Sequence, residues 1–116
     1  MGLPELQSEA IKQLADYSDK IIPATETIIK ELRGARQDDT DELFGLVIQG
    51  INWEIEIFNN CEKIINQKEQ LVDKSKMAQA VTRLGKVLQE KDDIKIAACL
   101  DVDFLPFLKN MKKATQ

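Results

Sequence analysis

Carboxylates are the only side chains in this sequence present in numbers and spacings that could do catalytic chemistry. Asp and Glu make up 20 of its 116 residues, and there is no histidine. Two carboxylates three apart on a helix share a face and can hold a Mg²⁺ ion between them, as helical enzymes acting on nucleotides require. Glu54 and Glu56 are two apart, as are Asp101 and Asp103, so the members of each pair leave a helix in different directions. Asp38 with Asp41, and Asp39 with Glu42, do have the three-residue spacing. They sit where a helix should begin, and there carboxylates cap free N–H groups and meet the positive end of the helix dipole. Capping is their expected role, and no metal site is expected.

The missing histidine removes the commonest general base and rules out Ser-His and Cys-His nucleophiles. None of the five glycines falls in a Gly-x-Gly-x-x-Gly or phosphate-loop pattern. Arg33, Arg36 and Arg83 are too few, and the first two too near a helix end, to suggest an anion pocket inside a bundle. No catalytic residue and no cofactor is therefore expected. Binding residues are a different matter. Trp53 is the only tryptophan and stands in the longest apolar segment. It reads either as core, with Gly50 letting a neighbouring helix approach closely, or as an interface anchor of the kind tryptophan often provides. Tyr17 and Phe58 could join its cluster. Ile57 follows one turn later. Trp53, Ile57, Asp101 and Asp103 are the candidate partner-binding residues.

The elements that must position them are helices, because apolar residues recur at three and four throughout. A first helix should begin near Pro4 or Glu5 and carry Ile11, Leu14, Ser18, Ile21, Thr25, Ile28 and Leu32 in one register, extended upward by Leu3 and Leu6. The register passes through Pro23 unchanged, which predicts one long helix kinked there rather than two. Gly34 is its expected stop. After the acidic run at 38–42, a second helix carries Phe44, Val47, Ile48, Ile51, Ile55, Phe58, Cys61 and Ile65, with Leu43, Leu46, Trp53 and Ile57 beyond that stripe. A third, more polar helix starts near Gln70 or Lys74. The turn at 90–93 leads to a fourth, with Ile96, Ala97, Leu100, Phe104, Phe107, Leu108 and Met111 inward and Pro106 kinking or ending it. The expected fold is all-α: an antiparallel up-down four-helix bundle, one domain over residues 1–116, with a long Pro-kinked first helix.

Bulk properties narrow the partners. The net charge is −4, which opposes nonspecific nucleic-acid binding. No segment approaches the roughly 20 apolar residues of a membrane span, and no signal peptide is visible. The expected location is the cytoplasm, where Cys61 and Cys99 would be buried reduced thiols. A first helix longer than its neighbours and a second apolar over more than one face predict a homodimer.

Two segments carry a family resemblance: Gly50-Ile51-Asn52-Trp53, and the stretch from Lys91-Asp92 through Ile96-Ala97, Leu100-Asp101 and Asp103-Phe104-Leu105 to Pro106-Phe107-Leu108. Together they resemble a family of short, acidic, uncharacterised helical proteins of Firmicutes-type bacteria. That family reads Gly-Leu-x-Trp in the middle and Ala-Asp-Leu-Leu-Glu-Tyr-Glu-Leu-x-Pro near the end. Ala98 stands where it often has Asp and Val102 where it often has Tyr, while Asp101 and Asp103 keep the acids. The resemblance spans residues 43–111 and implies a bacterial cytoplasmic protein, with no activity to carry over. The acid-flanked ending is either a shared binding feature or a shared way of closing the last helix.

The leading functional expectation is a noncatalytic helical interaction module, adaptor or chaperone-like, that holds an amphipathic helix. One alternative is a Mg²⁺-dependent helical enzyme acting on nucleotides. Another is an acidic, antitoxin-like or regulatory partner of a basic protein.

Overall fold

The computed structural model describes residues 3–115, with side chains from residue 8 onward. The expected extension of the first stripe through Leu3 and Leu6 falls on side chains outside that range. Every element among the described residues is helical: α1 (Leu3–Leu32), α2 (Thr40–Ile65), α3 (Lys74–Glu90), α4 (Asp93–Cys99), a π-helical turn (Leu100–Phe104) and α5 (Leu105–Ala114). The last three run on without a break, so the chain packs as four rods.

α1 passes uninterrupted through Pro23. That proline lies on the exposed face, where the carbonyl it cannot serve can be met by water. Leu14, Ser18, Ile21, Thr25, Ile28 and Leu32 are buried as the register predicts. Gly34 closes the helix at φ 118°, a left-handed conformation that glycine adopts without strain.

α2 begins at Thr40 with Asp41 and Glu42 in its first turn, at the positive end of the dipole as expected, but the expected carboxylate cap is not made. Asp39 makes no side-chain cap, and Asp41 turns aside to Arg36. The Thr40 hydroxyl does the work instead, accepting from the Gln37 N–H at 2.7 Å and donating to Glu31 Oε1 at 2.6 Å. It ties the entry of α2 to the end of α1. Near its far end α2 leaves helical geometry at Cys61 (φ −124°, ψ 21°). Asn66 then organises the next loop. Its amide oxygen accepts from the N–H groups of Leu71 and Val72, and its nitrogen donates to the Val72 carbonyl, all at 3.0 Å. Asp73 caps α3 and Asp92 caps α4 through their carboxylates.

α1 is central. It packs on α2 along one side and on α4, the π-turn and α5 along another, while α2 also meets α5. α3 lies outside this triangle, seated on α4 and the π-turn. The core is aliphatic, with Phe58 of α2 meeting Phe107 of α5 edge to face at 6.4 Å. Cys61 and Cys99 are both buried free thiols.

Pro106 explains the π-turn. In an α-helix its nitrogen would face the Val102 carbonyl, to which it can give no proton and against which its ring clashes. Widening the turn by one residue relieves this, and the Leu105 N–H reaches back five residues to the Leu100 carbonyl. The α-helix is interrupted before Pro106, as the sequence predicts, and the interruption takes the form of a widened turn through which the chain stays helical.

Candidate functional site

Asp101 and Asp103 leave the π-turn toward different neighbours. Asp101 accepts from Arg33 Nη2 at 3.1 Å, at the C-terminal end of α1. Asp103 receives a two-pronged bond from Arg83 of α3, Nε at 2.8 Å and Nη2 at 2.9 Å. The Arg83 guanidinium holds the Asp103 carboxyl below the usual carboxylate range. One turn earlier, Cys99 donates its thiol proton to Asp103 across 3.5 Å. Burial, and then the carboxylate, push that thiol up to about 11. It stays protonated at neutral pH and is a poor nucleophile. Arg36 makes the third clamp, forking onto Asp93 at 2.7 and 3.0 Å and reaching Asp41 at 2.8 Å. All three arginines are thus committed to carboxylates of the same chain.

Trp53 and Ile57 lie on the flank of α2, both half-buried. The Trp53 ring meets Tyr17 of α1 edge-on at 5.0 Å and 67°. Gly50 admits this contact, because a Cβ there would collide with the Tyr17 hydroxyl and stand 2.6 Å from Ile21 Cδ1. Phe58 belongs to the Phe107 contact on another side of α2, not to this cluster. Leu46, two turns before Trp53, is 57% exposed and borders a shallow apolar cavity of about 150 Å³ between α1 and α2. Tyr17 and Arg33 are sixteen positions apart on α1, or about 24 Å along the axis. The Trp53 cluster and the Asp101 clamp are therefore separate places.

Glu54 was not expected to matter, and it is fully buried. Ser18 of α1 donates to its Oε2 at 3.3 Å, while Oε1 has no partner. Loss of solvent pushes the carboxyl up to about 8, despite the Ser18 bond. At neutral pH it is a neutral acid inside the α1–α2 interface. Burial, and the nearby Glu54 carboxyl, raise the Tyr17 phenol as well. Glu56, two residues on, is exposed. Among the described residues no three Asp, Glu or Cys side chains gather as a metal site.

A cavity of about 530 Å³ lies between the end of α1 and the π-turn, lined by Arg33 and Asp101, and a longer concave surface lies beside α3. One cavity of about 500 Å³ runs between the first half of α3 and α5, and another of about 650 Å³ between its second half and α4. Both are lined by Arg83, Val102 and Asp103, so they join end to end at the Arg83–Asp103 clamp. Val102, in the π-turn, is 71% exposed at that junction. Asp103 is the one candidate from the sequence that contributes to this groove. Val102 and the α3 wall were not foreseen, although an apolar residue between two acids beside a helix-breaking proline was a readable signal.

A family model for a domain of unknown function, DUF8042, matches residues 9–114. The chain belongs to the DUF8042 family. No curated protein and no solved structure matches it. The DUF8042 match reaches well beyond the resemblance over residues 43–111 and takes in most of α1, so the family's unit is the whole four-rod assembly.

Proposed function

We propose that this DUF8042 domain is a noncatalytic protein-interaction module that receives an amphipathic helix in the groove beside α3. The observation that carries the proposal is Val102, a large aliphatic side chain held 71% exposed where two concave surfaces meet. Amphipathic helices lay their apolar face into such grooves, with anchors at helical spacing. The Arg83–Asp103 clamp supports the role by fixing α3 against the π-turn, so the walls are set before a partner arrives. The proposal keeps the up-down course of the rods, the bend at Pro23 and the bacterial cytoplasmic setting read from the sequence. No helix among the described residues is long and apolar enough to cross a membrane.

Site-specific photocrosslinking tests it. A crosslinking residue at position 102 should capture a stoichiometric protein partner in cells, and the same residue at exposed Lys63 on α2 should not. Val102→Asp should lose that partner while keeping the wild-type melting temperature, since the side chain is mostly in solvent. A groove that captures nothing at position 102 ends the proposal.

A second reading rests on the α2 flank. Leu46, Trp53 and Ile57, with Tyr17 beside them, form a partly exposed apolar strip suited to a second copy of the chain. This surface is separate from the groove, and both can be used at once.

A further inference from the structure

We infer that the helix taken up by the α3 groove is acidic along the edge that meets α3, an inference that rests on the groove being a docking site. Lys76, Gln79, Arg83, Lys86 and Glu90 line the two cavities from the α3 side. Their spacing of three and four places them along one face of the helix. That wall is about 21 Å long at 1.5 Å per residue, so it accommodates about four turns of a docked helix. Met77, Ala80, Val87 and Phe107 supply apolar lining below it.

The charges along the groove do not cancel. Its lining holds four cations, Lys76, Arg83, Lys86 and Lys95, against three carboxylates, Asp73, Glu90 and Asp103. Asp103 is taken by Arg83 and Glu90 by Lys95. Asp73 is used in capping α3, where it accepts from the Lys76 N–H. Lys76 and Lys86 remain, ten positions or about 15 Å apart on the same wall. Among the described residues no carboxylate pairs with either lysine, so a chain of net charge −4 places two unpaired ammonium groups along an apolar groove. A helix with Glu or Asp beside its apolar stripe, about three turns apart, satisfies both. A basic helix would meet two lysines against a single carboxylate, that of Asp73, which caps α3 without losing its charge and which no cation among the described residues holds. A nucleic acid is disfavoured, because two lysines over an aliphatic floor offer little to a phosphate backbone.

The test uses three labelled peptides of about 16 residues, long enough for four turns, with one shared apolar stripe and flanking Glu, Gln or Lys. Fluorescence anisotropy with the full chain reads their affinities. The acidic peptide should bind roughly tenfold tighter than the neutral one and the basic peptide weakest. The preference should shrink several-fold between about 50 and about 300 mM salt. The double variant Lys76→Glu, Lys86→Glu should reverse the order, and Val102→Asp should weaken all three. Equal binding of the three peptides, unchanged by the lysine reversals but weakened by Val102→Asp, overturns the acidic inference and leaves the groove standing. No binding by any peptide, or binding that Val102→Asp does not weaken, overturns both. Circular dichroism of each variant confirms that it is folded.

Discussion

Glu54 sits at the α1–α2 interface with no exposed surface and a single hydrogen-bond donor, Ser18. Its place was legible in spacing: it follows Ile51 by three and precedes Phe58 by four, both of which are buried. Its charge hid it, because periodicity is read from apolar residues and a carboxylate breaks the pattern. The cost of the placement depends on pH. The unfolded chain gives up this proton near 4.5, while the folded chain keeps it to about 8. Between those values unfolding releases a proton, so this group makes the fold less stable as pH rises through the window. Above about 8 the full penalty is present, on the order of 4–5 kcal/mol for a shift of this size. Glu54→Gln removes the titration and keeps an acceptor for Ser18. In urea titrations the variant should match wild type at about pH 5 and exceed it by a few kcal/mol at about pH 9. An equal gap at both pH values would show that Glu54 titrates in water, against the buried position described. The residues proposed for binding divide in the same way. Trp53 could be found from its isolation and Tyr17 expected beside it, as the ring contact bears out, but the partner of Asp103, Arg83, lies 20 positions away, and only packing supplies that pair.

At the scale of elements, the helices were legible from their apolar period, and some of their ends carry a local signal that the structure uses. Gly34 stops α1, Asp73 and Asp92 cap α3 and α4, and the inward face from Ile96 to Met111 is buried throughout. Two departures were not legible. Nothing in sequence marks the non-helical turn at Cys61. Pro106 marks a fault in the last helix without saying how it is relieved, and the relief is one extra residue in the turn before it. The position of α3 was also unreadable, since the thin stripe its sequence offers, Leu71, Met77, Val81, Leu84 and Leu88, names no neighbour, and the structure buries Ala80 in place of the exposed Val81. With contacts mainly to α4 and the π-turn, α3 depends on the loop that delivers it. Asn66 makes three hydrogen bonds within that loop. Asn66→Ala should cost about 1–3 kcal/mol, the usual penalty for stranding partly buried backbone groups. Hydrogen exchange should quicken first at Leu71 and Val72 and through α3, with the centre of α1 protected as before. Uniform acceleration across all four rods would mean that α3 is not a separately anchored element.

The whole molecule is longer and more exposed than its size requires. It measures 46 × 26 × 21 Å with a radius of gyration of 14.6 Å, where a domain of this length averages about 13 Å. Its accessible surface is 7257 Å², against about 6400 Å² for a typical monomer of this mass. The excess, about 860 Å², is of the size that one partner contributes to a standard protein interface, about 800 Å². Two surfaces could absorb it, the α3 groove and the Leu46–Trp53–Ile57 flank, and they differ in chemistry. The groove carries uncommitted positive charge, which two identical copies would bring face to face and so repel. The α2 flank carries an apolar strip with a tryptophan and a tyrosine, which is compatible with itself across a two-fold axis. Of the two surfaces, the flank is the one compatible with the second copy proposed above. Sedimentation velocity on the wild-type chain at tens of micromolar should show a dimer, and Leu46→Glu should return it to a monomer with unchanged helicity, because Leu46 lies mostly in solvent. Val102→Asp should leave the dimer intact. Dissociation by Val102→Asp but not by Leu46→Glu would move the dimer to the groove and remove that surface from any outside partner. A wild-type monomer would leave the flank without a second copy, and the excess surface would then fall to the groove and the helix it receives.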